Sequence, residues 1–284
     1  MSSMTRREAI KGAASLAVGL PVAGALASNV QAAAKKLKVV VAGAHPDDPE
    51  SASGGLMALY ARAGHDVASL YLTRGEAGVP AKSHEEAARI RTEEAEAACR
   101  ILGSRPVFAG QVDASTEVNR ARYDELKRLL DDEKPDLVVT HWPIDTHRDH
   151  RAISLLVYDA WLHSGKSFEL YYFETESGQQ TQHFWPTHYV DITEVEERKR
   201  QACFAHKSQN PEKGFYTLHS EMHRFRGCEA GRFPSRTRGS AAGSPFTLSS
   251  LTRCPPQPQR GSEWSQPSPG SRDGPPRRPT SRCG

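Results

Sequence analysis

Cysteine is scarce and has no partner spacing in this sequence. Five residues, Cys99, Cys203, Cys228, Cys254 and Cys283, are an odd number without a short paired repeat, so they specify neither a thiolate zinc site nor a disulfide framework. Cys99 and Cys203 fall in helical patterns, where a thiol serves as a small buried hydrophobe. Basic charge is missing where a nucleic-acid binder would need it. The formal charge of +3 divides into −6 over residues 35–230 and +7 over residues 231–284, the latter from nine Arg against two acidic residues. The body therefore offers no basic face, and no specific nucleic-acid partner is expected. Lysine is absent from residues 231–284, where Pro, Gly, Ser and Arg make up 36 of 54 positions. Such a composition cannot build an ordinary core, so this tail reads as disordered or as aberrant sequence, and no function is assigned to it.

What remains suffices for one sizeable core. A chain of 284 residues with 37% hydrophobic and 25% charged positions is neither fibrous nor wholly disordered. Residues 1–34 stand apart. Arg6 and Arg7 precede the apolar run Ala13 to Ala27, which Pro21 and Gly24 interrupt, and Val30-Gln31-Ala32 with Ala33 and Ala34 offers small residues suited to cleavage. A twin-arginine-type signal peptide follows from this pattern, with transient use of the twin-arginine export machinery. The expected location is periplasmic or extracellular, in a bacterium.

Residues 35–230 alternate between short apolar runs and helical periods. Leu37 to Ala44 contains three consecutive valines and empties into His45-Pro46-Asp47-Asp48, the pattern of a buried parallel strand ending in a polar loop. Helices are expected over 52–63, 83–102, 117–132, 149–160 and 194–206, with a weaker one over 217–225. Strands are expected over 66–73, 137–140, 170–173 and 189–192. This order predicts an α/β fold, a three-layer Rossmann-like domain with a mainly parallel sheet, whose ligands lie beyond the carboxyl ends of the strands. The first strand lacks a glycine-rich turn and presents acidic groups instead, which argues against a dinucleotide site.

Two polar clusters follow strand ends. His45 and Asp48 are three apart, as are His147 and His150, and the second pair shares one face if a helix starts near His147. Two imidazoles and one carboxylate, with a position left open for water, make a hydrolytic metal site, so His45, Asp48 and His150 are the expected ligands. Zinc suits this N/O set, although another divalent metal could occupy it. Asp47 stands ready as a general base, His147 as a donor to an oxyanion or a departing amine, and Asp149 as a carboxylate orienting an imidazole. The plain alternative is that the Asp residues cap a helix and the His-Arg-Asp-His run is a surface ion-pair cluster.

Ala44-His45-Pro46-Asp47-Asp48, Leu72-Thr73-Arg74-Gly75-Glu76, His147-Arg148-Asp149-His150 and Ala205-His206-Lys207-Ser208-Gln209 together resemble the PIG-L or LmbE-like superfamily of zinc-dependent N-acetylglucosaminyl deacetylases. The resemblance covers about residues 36–227. It implies the same metal ligands, with Asp47 as base and His147 stabilising the transition state. It also implies hydrolysis of the acetamido group of an amino sugar or its conjugate to acetate and a free amine. Arg74, Glu76 and His206 are candidates for substrate contacts, with loop fixing the alternative for Arg74 and Glu76 and a helix cap for His206. The competing function is a noncatalytic exported sugar-binding protein of the same fold.

Overall fold

The computed structural model describes residues 35–231 and 248–254. The expected signal peptide at 1–34, and the tail other than 248–254, lie outside the described residues. Seven strands and six α-helices follow in chain order: β1 Lys38–Gly43, α1 Asp48–Arg62, β2 Asp66–Tyr71, α2 His84–Leu102, β3 Arg105–Phe108, α3 Arg120–Glu133, β4 Leu137–His141, α4 Arg148–His163, β5 Glu169–Phe173, β6 His188–Asp191, α5 Glu196–Ala205, α6 Phe215–Glu229 and β7 Leu248–Arg253. The sheet order is β3-β2-β1-β4-β5-β7-β6. β1 to β5 are mutually parallel where they pair, and β7 runs antiparallel to both β5 and β6.

The valine run of β1 explains the three layers. Its side chains alternate between faces, and both faces are covered. Val39 and Val41 join Leu56 and Met57 of α1, Leu102 of α2 and Ala202 of α5. Val40 and Ala42 join Leu126 and Leu130 of α3 and Ile153, Leu156 and Val157 of α4. Helix limits follow local chemistry. Ser83 accepts the Glu86 amide at 3.2 Å to start α2, and Gly103, at φ +78°, ends it in a left-handed turn. Asn119 caps α3 through the Arg122 amide at 3.1 Å, which places its start three residues after the expected one.

One expectation needs correction. Residues 248–253, within the stretch read as disordered or aberrant, form β7, which fills the slot between β5 and β6 and buries Leu251 and Ser250. Backbone pairing along the full strand supplies what its Ser-rich sequence does not announce.

The chain turns from β1 to β2 and β3 on one side, then returns to place β4 on the other side of β1. This reversal leaves a crevice beyond the carboxyl ends of β1 and β4, the two strands that precede the polar clusters.

Candidate active site

The loop after β1 is built around a tight approach. A Cβ added at Gly43 would meet Pro49 Cδ at 2.6 Å and Asp48 Cβ at 2.7 Å, so only glycine lets β1 pass against the start of α1. Asp47 then takes φ 119°, ψ −28°, a region that costs a non-glycine residue about 1–3 kcal/mol. Its amide donates to Glu50 Oε2 at 3.1 Å, and its Oδ2 accepts from Arg91 Nη2 at 2.9 Å. Arg91 also donates to the Pro46 carbonyl. The strained turn is thus held from both ends.

Asp48 is the hub of the buried cluster. Its Oδ2 accepts the His45 amide at 2.7 Å and lies 3.3 Å from His45 Nδ1 and 3.2 Å from His141 Nε2. Its Oδ1 lies 3.4 Å from His150 Nε2. His141 ends β4 and stacks on His150 with ring centroids 3.9 Å apart. His147 is the N-cap of α4, its Nδ1 accepting the Asp149 amide at 3.2 Å, and its ring stands 4.7 Å from that of His45 and 4.6 Å from that of His150. Asp149 accepts from Thr116 Oγ1 at 2.6 Å and from the Ala114 amide at 3.0 Å, while its Oδ2 lies 3.2 Å from His45 Nε2. Asp113 Oδ1 is a second carboxylate oxygen at 3.2 Å from the same nitrogen.

Charge follows from these neighbours. Burial raises the Asp47 carboxyl above its ordinary pKa, and the Arg91 guanidinium opposes the rise without cancelling it. Burial acts likewise on Asp48, but the imidazoles of His150 and His141 outweigh it and hold the carboxyl well below its usual range. Burial disfavours charge on His45, yet Asp113, Asp149 and Asp48 raise its pKa well above the ordinary value. His150 is pushed up to about 9 by Asp48 and Asp145 against the cost of burial. Burial and the neighbouring His45 and His150 lower His147.

These groups line a cavity of about 450 Å³, together with Ser51, Thr175, Glu176, Gln209 and His219. Three clusters bring possible metal-binding atoms within 4.8 Å of one another: His45, His147 and His150; Asp48, His141 and His150; His45, Asp113 and Asp149. The trio His45, Asp48 and His150 is not itself one of the three. It is joined through Asp48, and the rings of His45 and His150 are 5.5 Å apart. Its chemistry nevertheless fits a cation. His45 Nε2 faces two carboxylates and keeps its proton there, and a cation would take the place of the proton on Nδ1, which lies toward Asp48. His150 Nδ1 lies 3.2 Å from Asp145 Oδ1, at ion-pair distance without hydrogen-bond alignment, and leaves Nε2 toward the same hub.

The substrate-contact candidates fall elsewhere. Arg74 is exposed and lies over the Phe108 ring, 5.3 Å from its centroid. Glu76 Oε2 accepts the Arg74 amide at 3.2 Å and the Asp113 amide at 3.0 Å. Neither lines the cavity, and Glu76 fixes its loop through these two amides. His206 is fully buried with its Nε2 3.5 Å from Glu50 Oε2, beneath the turn and outside the cavity lining. Nor does its ring cap α5, since both ring nitrogens lack hydrogen-bond partners. Arg91, Asp113, His141 and Asp145 escaped the sequence reading. The one available signal, for His141, was its place directly after the strand expected over 137–140.

A family model described as PIG-L, GlcNAc-PI de-N-acetylase, matches residues 40–161. A diacetylchitobiose deacetylase of Thermococcus kodakarensis is 30% identical over 190 residues, spanning 62% of this chain and 71% of the relative. Two solved structures share the fold. The N,N′-diacetylchitobiose deacetylase from Pyrococcus horikoshii aligns with TM-score 0.64 and 23% identity over 77% of this chain and 84% of its own. GalB, the 4-carboxy-2-hydroxymuconate hydratase of Pseudomonas putida KT2440, aligns with TM-score 0.65 and 22% identity over 79% of this chain and 99% of its own. With its residues 40–161 matching the family model and its sequence spanning most of a deacetylase relative, the chain belongs to the PIG-L family of GlcNAc-PI de-N-acetylases and is an amide hydrolase.

Proposed function

We propose that this chain hydrolyses the acetamido group of an N-acetylglucosamine-type sugar or conjugate, giving acetate and a free amine, with zinc held by His45, Asp48 and His150. The observation that carries the reading is the Asp48 hub, with two imidazole nitrogens at 3.3 and 3.4 Å and the Asp47 carboxylate next to it on the cavity wall. The deacetylase relative supports the acetylated amino sugar as substrate.

When bound, zinc supplies Lewis-acid polarisation of the acyl carbonyl and acidifies water. The protein supplies the rest. Asp47 accepts the proton of the attacking water, and its raised pKa makes it a stronger base than an ordinary carboxylate. Arg91 holds it in place. Because His147 Nδ1 accepts the Asp149 amide, its neutral ring carries the proton on Nε2, the atom that donates to the oxyanion or the departing amine.

The test is to measure metal content and incubate the protein with N,N′-diacetylchitobiose and a broad set of acetylated amino-sugar conjugates. About one zinc per chain is expected, with acetate and primary amine appearing in equal amounts, lost on chelation and restored by zinc. Full activity in the metal-free protein would remove the zinc assignment. Sugar binding without acetate release across the set would favour the noncatalytic reading.

Export through the twin-arginine route is proposed on Arg6 and Arg7 with the apolar run behind them. Replacing both arginines with Lys should leave uncleaved protein in the cytoplasm. Unchanged processing would point to another route.

A further inference from the structure

One wall of the cavity takes no part in the chemistry above. α6 brings Phe215 and, one turn later, His219 to the cavity, with ring centroids 6.4 Å apart and planes at 79°. His219 is 1% exposed, and its Nδ1 has no hydrogen-bond partner. It belongs to none of the three metal-binding clusters found among the described residues. A buried imidazole nitrogen without a partner is costly, and beside a cavity the cost is recovered when a ligand supplies the missing bond.

The structure behind His219 keeps it neutral. His223, four residues on, lies on the same side of α6 with its ring 6.2 Å from that of His219. Lys199 of α5 is buried, and its Nζ lies 2.8 Å from His223 Nδ1. Burial and the Lys199 charge lower the His219 pKa to about 3. A neutral imidazole has one donor and one acceptor, the pair a sugar hydroxyl can satisfy, whereas a cation could only donate. Phe215 offers the apolar surface that the C–H face of a pyranose needs, and Gln209, fixed through Nε2 to the Gly78 carbonyl at 3.0 Å, adds a further polar group to the same cavity.

We infer that Phe215 and His219 form a sugar-binding wall that positions the pyranose ring by stacking and by a hydrogen bond to a ring hydroxyl. The inference rests on the deacetylase reading for the identity of the reaction, not for the existence of the wall. The wall selects the sugar, while Asp47 and His147 act on its acyl group.

The experiment compares wild type with His219→Leu, His219→Gln and Phe215→Ala, measuring acetate release from N,N′-diacetylchitobiose, metal content and thermal midpoint. His219→Leu and Phe215→Ala should raise KM tenfold or more with kcat within about threefold and metal content unchanged. His219→Gln, which keeps a donor and an acceptor, should return KM to within about threefold of wild type. KM within twofold of wild type in His219→Leu would overturn the inference. So would equal loss in His219→Leu and His219→Gln together with lost metal, the signature of a structural role. If wild type releases no acetate from N,N′-diacetylchitobiose, that sugar is not its substrate, and the wall is tested by saturation-transfer NMR with N-acetylglucosamine. Transfer to wild type that disappears in His219→Leu supports it, and transfer that is absent from wild type or persists in the variant overturns it.

Discussion

Asp47 occupies a backbone conformation that most side chains avoid, and it stays there because Arg91 and Glu50 hold its two ends. Asp47 is at once the N-cap of α1 and a member of the cavity wall, and strain maintained in this way fixes the proposed proton acceptor in place. Replacing Asp47 with Asn keeps size but removes proton affinity, so turnover should fall by about 10²-fold or more with metal content and fold retained. His147→Ala should lower kcat while leaving KM and metal close to wild type, because in the proposed mechanism its ring donates from the cavity side, its Nδ1 being held by the Asp149 amide. Steady-state kinetics with metal analysis check both. The site was legible in sequence where its members are neighbours: His45, Asp47 and Asp48 are consecutive or nearly so, as are His147, Asp149 and His150. It was illegible where partners arrive from elsewhere. Arg91 comes from the middle of α2 and Asp113 from the loop after β3, and nothing in their flanking residues marks them as facing Asp47 and His45.

Elements were readable in proportion to their local signal. The valines of β1, the capped start of α2 and the periodic face of α4 carry their structure in adjacent residues. β3, four residues long, and the Ser-rich β7 acquire theirs from strands already in place. The packing of α5 on α6 has a further consequence at this scale. Lys199 is buried, and burial lowers its pKa to about 8. Folding therefore disfavours its charged form, a penalty present below pH 8 that disappears as pH rises through the unfolded value near ~10.4. Lys199→Met should stabilise the fold at pH 7 by at most about 3 kcal/mol, and its advantage over wild type should shrink between pH 8 and 10.5. Thermal unfolding of both proteins across that range measures the effect. A constant difference would show that Lys199 is lost with its packing, not its charge.

For the whole molecule the decisive join is at Glu174, which follows β5. Its buried carboxylate accepts Arg226 Nε at 2.7 Å and Nη2 at 2.6 Å, together with the Ser250 hydroxyl of β7. Thr175 and Glu176, the next two residues, line the cavity. Composition alone makes residues 231–284 dispensable, but the sheet makes residues 248–253 structural. Deleting them would remove the strand between β5 and β6 and uncover one side of the Glu174 pair. The thermal midpoint should drop by about 10 °C, and acetate release should fall as the cavity wall loosens. An unchanged midpoint would return the tail to the role its composition implies. The same arrangement orders events during synthesis. β5 and β6 are made first and are left one strand apart, since their common neighbour is the last strand of the sheet to emerge. Until residue 253 is available, the nascent sheet presents two unpaired edges facing a gap, each able to recruit a strand from another chain. Pairing of β7 thus removes a liability to aggregate, and a product truncated before it would retain the proposed catalytic residues together with the adhesive edges.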